Sequence, residues 1–157
     1  MKFREMSHSD LAQVAFLHNE LAYFIKRETK DEYWDFEELN IEGISQHLKA
    51  FINSEERKVI IAEERGRIIG FIAGEVVSCH LPISSIRKVG YISGAYVLPE
   101  FRGKGVMRTL ESEMVMFFQA LGLKYAELNF LSRNHIARKS WEALGYEVFR
   151  EQARKKI

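Results

Sequence analysis

Apolar and polar positions along this chain repeat with two periods, about two and about 3.6 residues, and the changes of period mark out its elements. Lys2 to Met6 reads as a short first strand. Leu11, Val14, Ala15, Leu17 and Leu21 then recur at helical spacing, with Ser7 or Ser9 placed to cap that helix. From Ala22 to Asn40 the repeat gives way to aromatics and charges: Tyr23, Phe24, Glu28, Asp31, Glu32, Tyr33, Trp34, Asp35 and Phe36. A second helix is expected over Glu42 to Asn53, with Ile44, Leu48, Phe51 and Ile52 turned inward. Lys58 to Glu64 is β-branched and apolar, Arg65-Gly66 marks a tight turn, and Arg67 to Val77 resumes as a long strand, which together predict a hairpin. Gly70 and Gly74 inside it predict a bulge or a close neighbour. Ser78 to Lys88, with Pro82, is a loop.

Val89 to Leu98 is a further strand, stopped by Pro99, which has no backbone N–H to give a sheet. The chain then turns through Arg102-Gly103-Lys104-Gly105 into a helix whose apolar face is Val106, Leu110, Met114, Phe117 and Leu121, with Gly122 as its stop. Tyr125 to Phe130 is expected as a strand, Asn134 to Leu144 as a helix ended by Gly145, and Tyr146 to Arg150 as a last strand from which the basic stretch Arg154-Lys155-Lys156 extends or frays. A hairpin meander joined to crossover helices implies one α/β (α+β) domain over residues 1–157, with a mixed sheet and helices on both faces.

The strand, glycine turn and helix from Val97 to Arg108 form a junction suited to an anion. The first amides of a helix have no intrahelical partners and carry the positive end of its dipole, so backbone N–H groups can hold a phosphate. Gly103 and Gly105 let the backbone come close to a ligand, and Arg102, Lys104 and Arg108 add charge, so a pyrophosphate would fit. The plainer reading is a solvated turn that begins a helix. The Gly-Lys-Ser/Thr ending of a Walker A loop is missing, and so is the three-glycine dinucleotide fingerprint.

The run Val97-Leu98-Pro99-Glu100-Phe101-Arg102-Gly103-Lys104-Gly105-Val106 resembles motif A of the Gcn5-related N-acetyltransferases, the GNAT superfamily, whose signature is Arg/Gln-x-x-Gly-x-Gly/Ala. Downstream, Asn134 to Tyr146 is similar to the family's Asn-x-x-Ala, aromatic, Leu-Gly-Phe/Tyr segment, in the family's order and at its usual separation. The resemblance covers most of the chain, most strongly Val59 to Val148. It implies a mixed, mostly antiparallel sheet whose central strands, Val89–Leu98 and Tyr125–Phe130, splay apart to receive the pantetheine arm of coenzyme A. It also implies that the backbone of Ala95, Tyr96 and Val97 lies along that arm and the thioester, with a strand N–H near Val97 polarising the carbonyl. Arg102, Gly103, Lys104, Gly105, Val106, Met107 and Arg108 would take the pyrophosphate, and Asn134 the pantetheine. Asn134 equally suits the N-cap of the last helix, and both roles can hold. Met107 stands where the family prefers Gly or Ala, and its long side chain could crowd the helix start.

Acid and base depart from the family pattern. The position of the family tyrosine that protonates the thiolate holds Trp141, and that of a glutamate base holds Asn129, which can orient an amine or a water but cannot take its proton. Val89 to Leu98 contains neither Glu nor His. Glu75 and Glu127 are the remaining strand carboxylates, and Tyr96, Ser140 and Tyr146 the hydroxyls that could protonate a thiol in place of solvent. General acid–base assistance is worth roughly 10²–10⁴ in rate, so its loss slows transfer without abolishing it. The resemblance therefore implies an acetyl-CoA-dependent N-acetyltransferase acting on a small amine or a peptide or protein amine. The alternatives are a non-catalytic acyl-CoA-binding module and, further off, a phosphate- or nucleotide-binding regulatory domain. Tyr23, Phe24 and Trp34 fall in the family's variable substrate-facing segment, where a cation would meet π-faces and carboxylates; core packing of those rings is the competing reading.

Composition changes this picture in three ways. The single cysteine, Cys79, excludes an internal disulfide and any multi-cysteine metal site, the histidines show no metal-ligand spacing, and a reducing cytoplasm is expected. The stretch Met1 to Glu5 is no apolar leader, and no uncharged apolar run is long enough for a bilayer, so neither a membrane nor a metal is expected. Net charge is +1, but residues 1–79 carry 10 basic and 15 acidic side chains and residues 80–157 carry 13 and 7. An acidic front and a basic back suit a cationic substrate and a polyanionic co-substrate, while the basic half is too interleaved with acids for nucleic acid. Monomer and homodimer remain equally open.

Overall fold

The computed structural model describes all 157 residues. The β-branched runs form one five-stranded sheet in the order β1 (Lys2–Glu5), β2 (Arg57–Glu64), β3 (Arg67–Ser78), β4 (Lys88–Val97) and β5 (Ala126–Glu127). The first four strands are antiparallel, and β5 runs parallel to β4. Arg65 and Gly66 both take positive φ, 52° and 78°, which matches the hairpin turn to the twist of β2 and β3.

Helix α1 (Leu11–Thr29) packs Phe24 edge-on against Tyr96 of β4. Helix α3 (Val106–Ala120) brings Leu110 beside Val97 at Gly70. Tyr96 and Val97 are neighbours in one strand and point to opposite faces, so α1 and α3 cover opposite sides of the sheet. Helix α2 (Ile41–Lys49) lies beside α1, and Trp141 of α4 (His135–Ala143) meets Tyr146, whose hydroxyl donates to Glu111 of α3. The core between these layers includes Val14, Leu17, Ile61, Ile69, Phe71, Ile72, Leu110 and Met114, all fully buried.

Two glycines set how close α3 can come. A Cβ on Gly90 would stand 2.4 Å from the Phe118 ring, and one on Gly74 2.5 Å from Met114 Sδ. The close neighbour expected from the strand glycines is therefore α3. A bulge is present as well: Ala73 pairs with Gly94 and Gly74 with Ile92, leaving Ser93 as the extra residue of β4.

The structure differs from the periodicity reading in four places. Helix α1 does not fade at Ala22 but runs to Thr29, because no Gly or Pro interrupts it; Lys30, at φ 48°, closes it by donating to Lys26 O. Helix α2 starts earlier, on an Asn40 cap that accepts Gly43 N–H at 3.1 Å, and ends at Lys49, before turns that lead to Asn53. The strand expected over Tyr125–Phe130 pairs only at Ala126 and Glu127. Tyr146–Arg150 joins no ladder, since β5 offers a two-residue edge, and the basic stretch is held by Arg154 on Asp31 rather than frayed.

Candidate functional site

The last rung of β4 is Leu98 N–H to Ile69 O at 2.9 Å, toward β3. Alternate residues of a strand turn their N–H and C=O to opposite sides, so those of Val97 and Ala95 face away from β3. On that side β4 and β5 are joined only at Gly90↔Ala126 and Tyr91↔Glu127. From Ile92 to Val97 β4 has no strand partner on that side, which leaves a gap beyond the two paired rungs. At the closed end of the gap Asn129 Nδ2 donates to Tyr91 Oη at 2.9 Å.

The gap is flanked by two helix starts. On the β4 side, Pro99 opens a tight turn in which Phe101 N–H reaches Leu98 O and Arg102 N–H reaches Pro99 O. Gly103 and Gly105 follow at φ 74° and 80°, the left-handed region open to glycine. The first bond of α3 is Thr109 N–H to Gly105 O at 3.1 Å, and none of the six amides from Gly103 to Arg108 finds an acceptor within the chain. No protein atom lies within 4 Å of a Cβ built on Gly103 or Gly105, so the loop's outer side is open. Such unpartnered amides, together with the dipole of α3, are chemically able to receive an anion. The side chain of Met107, expected to crowd this start, packs on the core instead and leaves its amide free.

On the β5 side, Asn134 is 5% exposed and caps α4, its Oδ1 accepting Ala137 N–H at 3.1 Å. Its Nδ2 makes no hydrogen bond within the chain and is not sealed from solvent, so a donor stays available at the start of α4. The cap role and a ligand role are compatible in one side chain.

The basic residues of the loop behave differently from one another. Arg102 turns back, its Nε donating to Val97 O at 2.9 Å and its guanidinium lying 5.1 Å from the Phe24 ring and 5.3 Å from the Tyr96 ring. It stiffens the corner between β4 and the loop, while its backbone continues into the loop. The Lys104 ammonium stands 5.1 Å from the Phe101 ring, and Arg108 is exposed on the first turn of α3.

Candidate proton-transfer groups are scarce at the gap. Burial pushes the Tyr96 hydroxyl above its ordinary range, and burial together with the Glu111 carboxylate does so for Tyr146, which donates to Glu111 at 2.9 Å. Ser140 is exposed on α4 and Glu75 pairs with Arg57 at 3.5 Å. No three His, Cys, Asp or Glu side chains gather where they could hold a metal ion. Of the three aromatics expected at the acceptor, Phe24 faces Tyr96, whereas Tyr23 and Trp34 collect around Phe36 at 5.2 and 6.5 Å. Sequence reasoning missed the Tyr91 partner of Asn129, which the β4–β5 register would have revealed. It also missed Arg154 on Asp31, for which a separation of 123 residues leaves no local signal.

A mixed sheet open between β4 and β5, with a helix start of unpartnered amides beside the opening, is an arrangement that can take an extended, anionic molecule. The sequence profile of the acetyltransferase (GNAT) family matches residues 15–146, and the chain belongs to that family. It is 28% identical over 149 residues to a Bacillus subtilis protein named as the N-acetyltransferase YhfO, covering 94% of this chain and 90% of that one. A second protein, named as an N-acetyltransferase from Archaeoglobus fulgidus, is 28% identical over 129 residues, 73% of this chain and 86% of its own. Among solved structures, a mutant of BH1408 from Bacillus halodurans superposes with a TM-score of 0.86 at 24% identity, covering 100% of this chain and 99% of that one. AAC(6')-Iy, solved with the bisubstrate analogue CoA-S-monomethyl-acetylneamine, gives 0.79 at 19% identity, with 99% and 97% covered. These two likenesses are of fold. The family membership and the relatives' names make the chain an N-acetyltransferase.

Proposed function

We propose that this chain transfers the acetyl group of acetyl-CoA to a primary amine of a small molecule or peptide, by direct attack while both substrates are bound. The observation that carries this reading is the set of six unpartnered amides from Gly103 to Arg108 at the edge of the β4–β5 gap. In this reading those amides, with Lys104 and Arg108, hold the diphosphate. The pantetheine arm then lies along β4, bonded to the N–H and C=O of Ala95 and the N–H of Val97, which β5 does not reach, beside Tyr96 and the Nδ2 of Asn134. A strand N–H near Val97 polarises the thioester carbonyl, a fixed dipole that costs no reorganisation as charge develops on the oxygen.

The amine nitrogen attacks the carbonyl carbon and gives up a proton to water, the C–S bond breaks, and the thiolate takes a proton from water. Asn129, already bonded to Tyr91, orients the amine or a water but takes no proton. Catalysis then rests on proximity and the carbonyl dipole, and the amine must arrive neutral. Tyr23, Phe24 and Trp34, at and beyond the end of α1, wall the acceptor side.

Thiol release followed with a chromogenic disulfide across an amine panel, with calorimetry of CoA against ATP, tests the reading. Amine-dependent release and binding of CoA but not ATP support it. CoA binding without release above the buffer rate for any amine would replace it with an acyl-CoA-binding module.

A further inference from the structure

Residues 147–157 make no backbone–backbone hydrogen bond, yet side chains fix the segment along its length. The Phe149 ring stands 5.9 Å from His80. Arg154 donates from both terminal nitrogens to the Asp31 carboxylate, at 2.9 and 2.5 Å, with its guanidinium carbon 4.3 Å from the centre of the Tyr33 ring. Lys156 pairs with Glu32 at 3.5 Å. With Arg154 in place the Asp31 side chain is only 10% exposed.

One further contact locates this latch. Asp31 and Tyr33 follow α1 directly, and Phe24 of α1 packs edge-on against Tyr96, where β4 borders the gap. Arg154 first, and then the Tyr33 amide, hold the Asp31 carboxyl below its ordinary range. The segment thus runs from His80 toward the end of α1, where the acceptor side has been placed.

A planar guanidinium held by two oxygens of one carboxylate and laid on an aromatic face is how proteins recognise a cationic ligand. Here a distant part of the same chain supplies that cation. We propose that the segment from Glu147 to Lys156 is a strap whose Arg154 occupies, in the free protein, the place where Asp31 and Tyr33 recognise the cationic part of the acceptor, so that acceptor binding displaces it. The inference rests on the acceptor side assigned above. The latch is surface-exposed and salt-sensitive, so it tunes access rather than closing the site.

The test uses agmatine, which carries a guanidinium and a primary amine, on wild type, Arg154→Ala, Arg154→Lys and Asp31→Asn. Backbone ¹⁵N heteronuclear NOEs of residues 147–156 should fall in Arg154→Ala without ligand, and in wild type when agmatine is added. Agmatine should bind Arg154→Ala about fivefold more tightly than wild type, Arg154→Lys in between, and Asp31→Asn no better than an uncharged alcohol of the same length. For a cationic amine that the enzyme accepts, Arg154→Ala should lower KM by a similar factor and leave kcat and CoA affinity unchanged. Heteronuclear NOEs that ignore both agmatine and Arg154→Ala, or agmatine affinity equal in wild type and Arg154→Ala, would overturn the strap. Absence of thiol release with every amine would remove the transferase reading while the NOE and binding data still decide the strap.

Discussion

Replacing Gly105 by alanine tests the anion receptor with one added methyl group. Gly105 sits at φ 80°, a conformation that costs a residue with a Cβ about 1–2 kcal/mol. Nothing lies within 4 Å of the new Cβ, so strain is the whole cost and the fold survives it. For a chain of this size that is a fall in Tm of roughly 2–8 °C. Relief of the strain rotates the peptide units that enter α3 and turns the amides of Val106 and Met107 away from the loop's open side. The binding-competent loop stays reachable at the cost of that strain, so the loss in affinity is at most about 1–2 kcal/mol, or roughly 5–30-fold. Calorimetry should show CoA binding to Gly105→Ala about 5–30-fold more weakly than to wild type, while pantetheine, which lacks the diphosphate, binds both proteins equally. A CoA affinity within twofold of wild type would refute the reasoning, and so would an equal loss for pantetheine.

Gly90→Ala should destabilise by about 1–3 kcal/mol in urea unfolding, because its Cβ would stand 2.4 Å from the Phe118 ring, and Phe118→Leu in the same chain should recover part of the loss. A different effect is expected at Asp10, which Arg4 holds in a bidentate pair at 2.7 and 2.9 Å and which accepts Ser7 N–H at 2.8 Å. Arg4 holds that carboxyl well below its ordinary range, so the pair contributes fully above pH 4 and is lost as pH falls toward the depressed value. Unfolding at pH 7 and pH 3 should show Asp10→Asn about 1–3 kcal/mol less stable than wild type at pH 7, with the difference shrinking in acid; a constant difference would count against the pair. With no imidazole or free carboxylate assigned to proton removal, kcat/KM should rise with pH toward the pKa of the amine itself. A plateau set near pH 6 to 7 for amines of different pKa would show a base at the gap that the present assignment lacks.

Much of this architecture was legible because local signals pointed the same way as the fold. Arg65-Gly66 allowed one hairpin, Pro99 ended one strand, and the spacing of Val106, Leu110 and Met114 marked the inward face of α3, which Phe118 completes where Phe117 and Leu121 were expected. The loop glycines Gly103 and Gly105 were readable for the same reason: the chemistry they permit lies in consecutive residues. What escaped the sequence depends on partners far along the chain. The extent of β5 is set by where its neighbour parts from it, and that parting makes the gap. Arg102 carried the signature of a phosphate ligand, yet its side chain settles on Val97 O between Phe24 and Tyr96, a choice made by tertiary packing. The segment after α4 shows alternation enough for a strand at Tyr146–Arg150, but a strand needs an edge, and β5 ends at Glu127. Its position is set instead by Asp31, just past the end of a helix that runs eight residues beyond the periodic stretch ending at Leu21.

The most direct measurement is an amide NMR titration of the protein with CoA. The amides of Gly103, Lys104, Gly105, Val106, Met107 and Arg108 should shift together and saturate with one dissociation constant, along with those of Ala95 and Val97. Saturating CoA that moves none of these eight signals, while shifting others, would show that the co-substrate is held elsewhere.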